Sequence, residues 1–352
     1  MMPATRPLPA EPMLRATPRT RLFLILALAC AAWAARAQQP SPHAIDIPRW
    51  FSLSLLDFKD EIPEAARAGK RVMVYFGQDG CPYCKALMQV NFAPGPIATK
   101  VQQHFVSVAI NIWGDADVTW IDGRRFTEKT LARELKVQFT PTLLFFDTDG
   151  RQALRINGYH GPERFGPIVD YVVERQDRQQ SLAEFLDGRL REPKLAPKGP
   201  RPYVNTPPAQ LARAGKRKPL AVLFESPSCK TCAELHDLAF TRASMRQLLQ
   251  RFDVASIQPG TAAPLTTPDG RRSDTRAFAR DLQVGLYPTV VFFDERGQEA
   301  FRFDGYMRPF HTESAFDYVA SGAWKTEPQF QRFVQARAER LQAAGQTVDL
   351  WR

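Results

Sequence analysis

Four of the five cysteines in this 352-residue chain fall into two pairs with the same spacing, Cys81-Pro82-Tyr83-Cys84 and Cys229-Lys230-Thr231-Cys232. Two cysteines three apart at the start of a helix are close enough to form and break a disulfide with each other. The first thiol of such a pair sits among unpaired backbone N–H groups, at the positive end of the helix dipole, where a thiolate is stabilised. That thiolate can attack a disulfide of another molecule, and the second thiol can resolve the mixed disulfide. Cys81 and Cys229 are therefore the candidate nucleophiles, with Cys84 and Cys232 as resolving thiols. Lys230, inside the second pair, adds a positive charge that would favour a thiolate. Tyr83, between the first two cysteines, is expected to be exposed and to touch substrate.

The elements needed to position these thiols are legible around them. The apolar run Val72–Phe76 reads as a strand and Ala86–Val90 as a helical pattern, so the first pair lies on a strand-to-helix loop. Leu220–Phe224 precedes the second pair in the same way. Residues 45–69 read as helical, with Ser54 as cap and Gly69 as stop. Further along, Phe105–Ile112 reads as a buried strand and Glu128–Leu135 as a helix. Leu143–Asp147 and Ala153–Ile156 form a hairpin around Asp149-Gly150, and Arg164–Glu174 a closing helix.

The second half repeats the first. Gly123-Arg124-Arg125 recurs as Gly270-Arg271-Arg272, Pro141-Thr142 as Pro288-Thr289, and Phe145-Phe146-Asp147 as Phe292-Phe293-Asp294. Gly158-Tyr159 recurs as Gly305-Tyr306, and Asp170-Tyr171-Val172 as Asp317-Tyr318-Val319. Each of these pairs is 147 residues apart and the cysteine pairs are 148 apart, which is the mark of an internal duplication. The expected organisation is a leader over 1–37, a first domain over 45–190, a proline-rich spacer over 191–207 and a second domain over 208–345. A last amphipathic helix, 328–344, is expected to pack on the second domain or against a partner.

Strand, Cys-X-X-Cys helix, strand, helix, then Thr-Pro-Thr before a hairpin and a closing helix resembles the thioredoxin superfamily, once in each half. The resemblance implies an α/β fold with two tandem thioredoxin-like domains, each a central mixed sheet flanked by helices. It places Pro141 and Pro288 in the family's cis-proline loops, facing the cysteines. The backbone before each proline, at Thr140 and Tyr287, would pair with a substrate strand. Tyr83, Thr140, Pro141, Tyr287 and Pro288 are thus the implied substrate-binding residues. Within the superfamily the first domain looks most like exported SoxW-type proteins, and more distantly like DsbC and DsbG catalytic domains. That implies thiol–disulfide exchange on exported proteins, in the reducing or isomerising direction. Cys-Pro-Tyr-Cys is also the glutaredoxin dipeptide, from which glutathione dependence does not follow.

Three departures stand out. Gly80 and Ser228 stand where thioredoxins carry tryptophan before the first cysteine. Tyr75 and Leu223 stand where they carry a buried carboxylate, so proton transfer at the resolving thiol must use water or another group. Tyr287 places a large side chain before the second proline, where it would partly cover the cysteines.

Arg19 and Arg21, the apolar stretch from Leu22 and the small-x-small sequence Ala35-Arg36-Ala37 form a secretory signal. An uncleaved anchor is the alternative, although the apolar stretch is shorter than the ~17 residues a span needs. Removing 1–37 lowers the formal charge from +10 to +6 and takes Cys30 with it. The remaining basic residues are scattered, so nucleic acid is not an expected partner. The expected location is the periplasm, with contact to the membrane only through the leader if it stays. Expected partners are exported protein thiols and disulfides, together with a membrane thiol donor of electrons. No cofactor is expected beyond the redox-active disulfides, and no metal. A joint Cys₄ zinc site conflicts with cysteine pairs at helix starts in separate domains, and no Cys-X-X-Cys-His is present for covalent haem. His43, His104, His160, His236 and His311 read as surface or satisfied core, and Trp50, Trp113 and Trp120 as packing. Two pairs in one chain would permit a relay between domains. The competing class is a binding or chaperone module whose cysteines stay oxidised.

Overall fold

The first domain begins with α1, Phe58–Arg67, whose N-cap is Asp57. The expected start at Ser54 is not seen: its hydroxyl instead accepts a hydrogen bond from the Leu56 N–H at 2.7 Å. Leu55 is 92% exposed, so the apolar stretch before Asp57 has no core face to bury and no reason to coil. β1, Arg71–Gly77, is buried throughout. A short α2, Pro82–Ala86, continues as a π-turn over Leu87–Asn91. α3, Pro96–His104, carries the chain back to β2, Phe105–Asn111. A small ribbon of β3, Asp117–Thr119, and β4, Arg125–Thr127, then leads into α4, Glu128–Glu134. β5, Thr142–Phe146, and β6, Gln152–Asn157, form the hairpin, followed by α5, Pro162–Val173, and α6, Leu182–Arg189.

This computed structural model describes residues 44–190, 201–227 and 229–348. The expectations for the leader over 1–37, for Cys30 and His43, for Ser228 and for residues 191–200 of the spacer lie outside the described residues. The four main strands pair in the order β2-β1-β5-β6. β1 is parallel to β2 and antiparallel to β5, with Met73 opposite both Ser107 and Phe145. A parallel pair joined by a helical crossover, extended by an antiparallel hairpin, gives the mixed sheet with helices on both faces.

The second domain repeats these elements. Its sheet combines β7, Leu220–Phe224, and β8, Asp253–Ile257, with β11, Thr289–Phe293, and β12, Glu299–Asp304, in the order β12-β11-β7-β8. Between them lie α7, Lys230–Glu234, α8, Ala243–Leu249, the ribbon β9–β10 (Pro264–Thr266 and Arg272–Asp274) and α9, Thr275–Asp281. α10, Pro309–Ala320, and α11, Phe330–Ala343, complete it. Part of the expected spacer belongs here. The Asn205 and Thr206 N–H groups donate to the Val254 carbonyl, and the Tyr203 ring stacks on His236.

The two domains meet through equivalent surfaces. Asn157 of β6 donates to Asp304 of β12 at 2.7 Å, and the two residues are 147 apart in the sequence. Phe139 leaves its own domain and packs on Phe301 and Phe330, with ring centroids 5.6 and 5.4 Å away. Its counterpart Leu286 is buried in the core of the first domain. Contact between like positions of two copies is the arrangement of a two-fold dimer, here within one chain. Burying a Phe or Leu side chain contributes roughly 1.5–3 kcal/mol, so the exchange of two such groups fixes the domains against each other.

Candidate active site

Both cysteine pairs sit where the sequence places them, each first cysteine serving as the N-cap of a helix. The Cys84 N–H donates to Cys81 Sγ at 3.0 Å, and the Cys232 N–H to Cys229 Sγ at 3.0 Å. Each pair is closed as a disulfide with Cα atoms 5.2 Å apart. Thr140-Pro141 and Tyr287-Pro288 are cis, and the Thr140 carbonyl oxygen lies 3.4 Å from Cys81 Sγ. Cys81, Cys84, Thr140 and Pro141 thus form one site, and Cys229, Cys232, Tyr287 and Pro288 a second.

What covers the two sites differs. Cys81 lies in a cleft of about 570 Å³, with Tyr83, Thr140 and His160 on one side and residues of α11, among them Gln335 and Gln342, on the other. Cys229 has about 20 Å³ of room beside it, lined by Arg164, Ala183, Leu186, Asp187, Leu190 and Tyr287, although the two cysteines are about equally buried, Cys81 4% and Cys229 6% exposed. The room beside Cys229 is close to what one water needs. The lid is α6 of the first domain, through Ala183, Leu186 and Asp187, with Leu190 at its C-terminal end. Arg164 reaches across as well: its Nη1 donates to Thr231 Oγ1 at 3.2 Å and its Nη2 to the Tyr287 carbonyl at 2.9 Å. The backbone oxygen before the second proline therefore already holds an intramolecular donor.

Tyr83 departs from the expectation of exposure. Its ring packs edge-on to His311 of the second domain, with Oη 3.3 Å from Nδ1, and burial pushes its pKa up to about 12. His311 occupies the position equivalent to Arg164, 147 residues on. The residue between each pair of cysteines is therefore touched by the same helix position of the other domain. Burial, reinforced by Arg308, lowers the His311 pKa to about 4. Burial, reinforced by Arg164, lowers that of His160 to about 3. Both imidazoles are neutral at ordinary pH. His160 also lies over Gly305, where φ is +77° and a Cβ would come within 3.0 Å of the ring. Trp113, expected as packing, lines the cleft and donates from Nε1 to Gln78 Oε1 at 2.5 Å. Trp50 and Trp120 do pack, on Phe92 and Phe58.

Tyr75, at the place of the family's carboxylate, is buried and its hydroxyl has no partner among the described residues. Burial and then the nearby Asp79 push its pKa well above the ordinary phenol value, so it is no base. The second domain does carry a buried carboxylate, Glu225, four residues before Cys229 rather than six. It pairs with His236, whose Nδ1 lies 2.5 Å from Tyr203 Oη. Burial pushes the Glu225 carboxyl up, but bonds from His236 and Ser256 and the charge of Arg201 outweigh it and hold the carboxyl below its usual range. Lys230 is exposed, on the outside of the second pair.

The thioredoxin-like domain family matches twice, over residues 58–173 and 209–320. The chain belongs to this family. It is a thiol–disulfide oxidoreductase, with one Cys-X-X-Cys centre in each of two tandem domains. No protein of curated function matches it. Among solved structures it is similar to a thioredoxin-fold protein from Helicobacter pylori, at 22% identity over 35% of this chain and 81% of the other, with a TM-score of 0.30. A thioredoxin from Thermus thermophilus aligns at 24% identity over 34% of this chain and 88% of its own, TM-score 0.25. The DsbH oxidoreductase aligns at 18% over 42% and 99%, TM-score 0.26. Among the described residues no helix is long and apolar enough to cross a membrane.

Proposed function

We propose that this protein reduces disulfides in exported polypeptides through Cys81 and Cys84, in the periplasm, after its leader over 1–37 is removed. The observation that carries the reading is the setting of Cys81 Sγ, which lies in the open cleft with the Thr140 carbonyl 3.4 Å away. A carbonyl dipole at that distance disfavours an anion and accepts a hydrogen bond from a thiol. It opposes the backbone donor from Cys84, so the thiolate on which a strong oxidant relies is less stabilised here.

In the reduced protein the Cys81 thiolate attacks one sulfur of a substrate disulfide. A mixed disulfide forms and the other substrate sulfur leaves as a thiolate, taking a proton from water. Cys84, deprotonated by water, attacks Cys81 Sγ, closes the Cys81–Cys84 disulfide and releases the second substrate thiol. Two electrons pass to the substrate, and a dithiol donor at the membrane restores the enzyme.

Cys229 and Cys232 take no part in exchange with protein substrates while α6 and Arg164 cover them, and the second domain acts as a wall of the first site. A relay would require Phe139 and Leu286 to leave each other's domains first. The deciding experiment is a thiol-trapping titration of each pair against dithiothreitol and glutathione buffers. A Cys81/Cys84 potential near the −270 mV of thioredoxin supports reduction, and one near the −120 mV of DsbA would make the protein an oxidant. Mass analysis of the exported protein locates the cleavage: a chain beginning at Gln38 fits the reading, and an intact leader removes the soluble periplasmic form.

A further inference from the structure

We propose that the Tyr75 hydroxyl is the hydrogen-bond donor that receives the Cys84 sulfur when the Cys81–Cys84 disulfide opens. This rests on the exchange reading above and adds to it a residue that acts on the buried thiol. Met73 and Tyr75 lie on the face of β1 that packs in one cluster with Cys81, Cys84, Leu87 and Met88, whereas Val72, Val74 and Phe76 lie on the other face. Leu87 and Met88 follow Cys84 by three and four residues, so the three side chains form the stripe that α2 and its π-turn press onto that face. The phenol reaches along the strand and puts its hydroxyl in the space that a Cβ on Gly77 would fill. Gly77 ends β1, four residues before the Cys81 cap, so the hydroxyl lies between the sheet and the helix that carries Cys84.

The chemistry there suits a donor of a hydrogen bond and not a taker of protons. Tyr75 is 2% exposed, and its hydroxyl has no partner among the described residues, Cys84 included. A buried hydroxyl left so is costly, and a state of the protein that satisfies it is favoured. Burial, and then the charge of Asp79, keep the phenol protonated. Cys84 is wholly buried, and desolvation would disfavour a thiolate there unless a donor faced it. When an incoming thiolate of the dithiol donor attacks Cys81 Sγ, the Cys81–Cys84 bond breaks and its electron pair stays on Cys84 Sγ. That sulfur, freed from its partner, turns to the hydroxyl; the phenol keeps its proton, and the thiolate later takes one from water. The second domain fills the same place differently. Leu223 stands at the position of Tyr75, and Glu225, paired with His236, at that of Gly77. An ionised carboxylate accepts and does not donate, so this position gives Cys232 an acceptor in place of a donor.

The test uses the full chain with Cys81→Ala, read against Cys81→Ala, Cys84→Ala so that the ultraviolet absorbance of the Cys84 thiolate is isolated across pH. Adding Tyr75→Phe to the first of these should raise the Cys84 pKa by about one unit, the tenfold worth of one hydrogen bond to a charged group. With both cysteines present, Tyr75→Phe should slow opening of the disulfide by dithiothreitol about three- to tenfold, because Cys84 is the leaving group. The oxidised Tyr75→Phe protein should unfold at the same urea concentration as the unmodified one, or a higher one, since the hydroxyl it lacks had no partner in that state. A Cys84 pKa that does not move would overturn the donor role. So would a lower urea midpoint for the oxidised variant, which would give the hydroxyl a structural bond already made. Failure of the unmodified protein to reduce any disulfide would sink the exchange reading instead and leave the pKa shift standing.

Discussion

Cys81 and Cys229 descend from one duplicated loop, keep the same helix cap and the same cis-proline, and yet face different surroundings. The difference comes from the helix that each domain lends to the other. α6 is eight residues long and lies over Cys229, whereas α11 is fourteen long and stands off from Cys81 across the cleft. Around Cys229 the space holds about one water; around Cys81 it is wide enough for a chain. Duplication supplied two equivalent devices, and the partner domain leaves a wide cleft beside one and little room beside the other.

The largest effect that would break this comparison is the loss of each nucleophile in turn. Cys81→Ser should abolish reduction of a protein disulfide, by at least about a thousandfold, because among the described residues no other thiol lines the cleft to form the mixed disulfide. Cys229→Ser should leave the same rate within about twofold. A large loss in the second variant, measured by insulin reduction with a dithiol donor, would restore the relay between the domains and end the reading of Cys229 as enclosed.

A smaller effect sharpens it. Arg164→Ala removes the donors to Thr231 Oγ1 and the Tyr287 carbonyl while leaving α6 in place. After mild reduction, maleimide labelling of Cys229 should then rise about tenfold and labelling of Cys81 should not change. The cost in stability should be about 1 kcal/mol per hydrogen bond, read from urea unfolding. If labelling of Cys229 stays where it was, α6 alone is the lid and Arg164 only packs against it.

The features legible in the sequence are those set by local rules. The wholly buried strands Arg71–Gly77 and Leu220–Phe224 announce themselves as apolar runs, the cysteine spacing fixes a helix cap, and the 147-residue recurrence fixes two equal domains. The cis bonds at Pro141 and Pro288 came through the family resemblance. What stayed hidden is what one domain does to the other. Tyr83 reads as exposed because nothing near it in sequence covers it; His311, 228 residues away, does. Phe139 reads as a residue of its own domain although it packs in the other's core. Arg164 and His311 stand at matched positions, but an unlike pair leaves no repeat to notice. Glu225 escaped because it lies four residues before the cysteine, at the end of the strand, and the family's carboxylate lies six before.

The smallest effect concerns acid. His160 and His311 are held neutral by burial between the domains, at about 3 and about 4, while an unfolded histidine takes up its proton near 6.5. Between pH 6.5 and 4 the unfolded chain therefore binds more protons than the folded one, and stability must fall as pH falls. Each histidine adds up to about 1.4 kcal/mol per pH unit to that slope until its folded value is reached. The charges they face set the same sign, since Arg164 lies near His160 and Arg308 near His311, and both repel an added proton. Urea unfolding at pH 6.5, 5.5 and 4.5 should show the loss, and His311→Phe should make it shallower by up to one proton's worth. The Cys229 site offers no histidine at the matched position, because Arg164 stands there with its charge fixed. Acid should accordingly loosen the Tyr83 side of the interface first, so that Cys81 becomes easier to label as pH falls from 6.5 to 4.5, after correction for thiolate fraction, while Cys229 does not. Equal loosening of the two sites would mean that the domains separate as a whole and that the closure of Cys229 has no hold of its own.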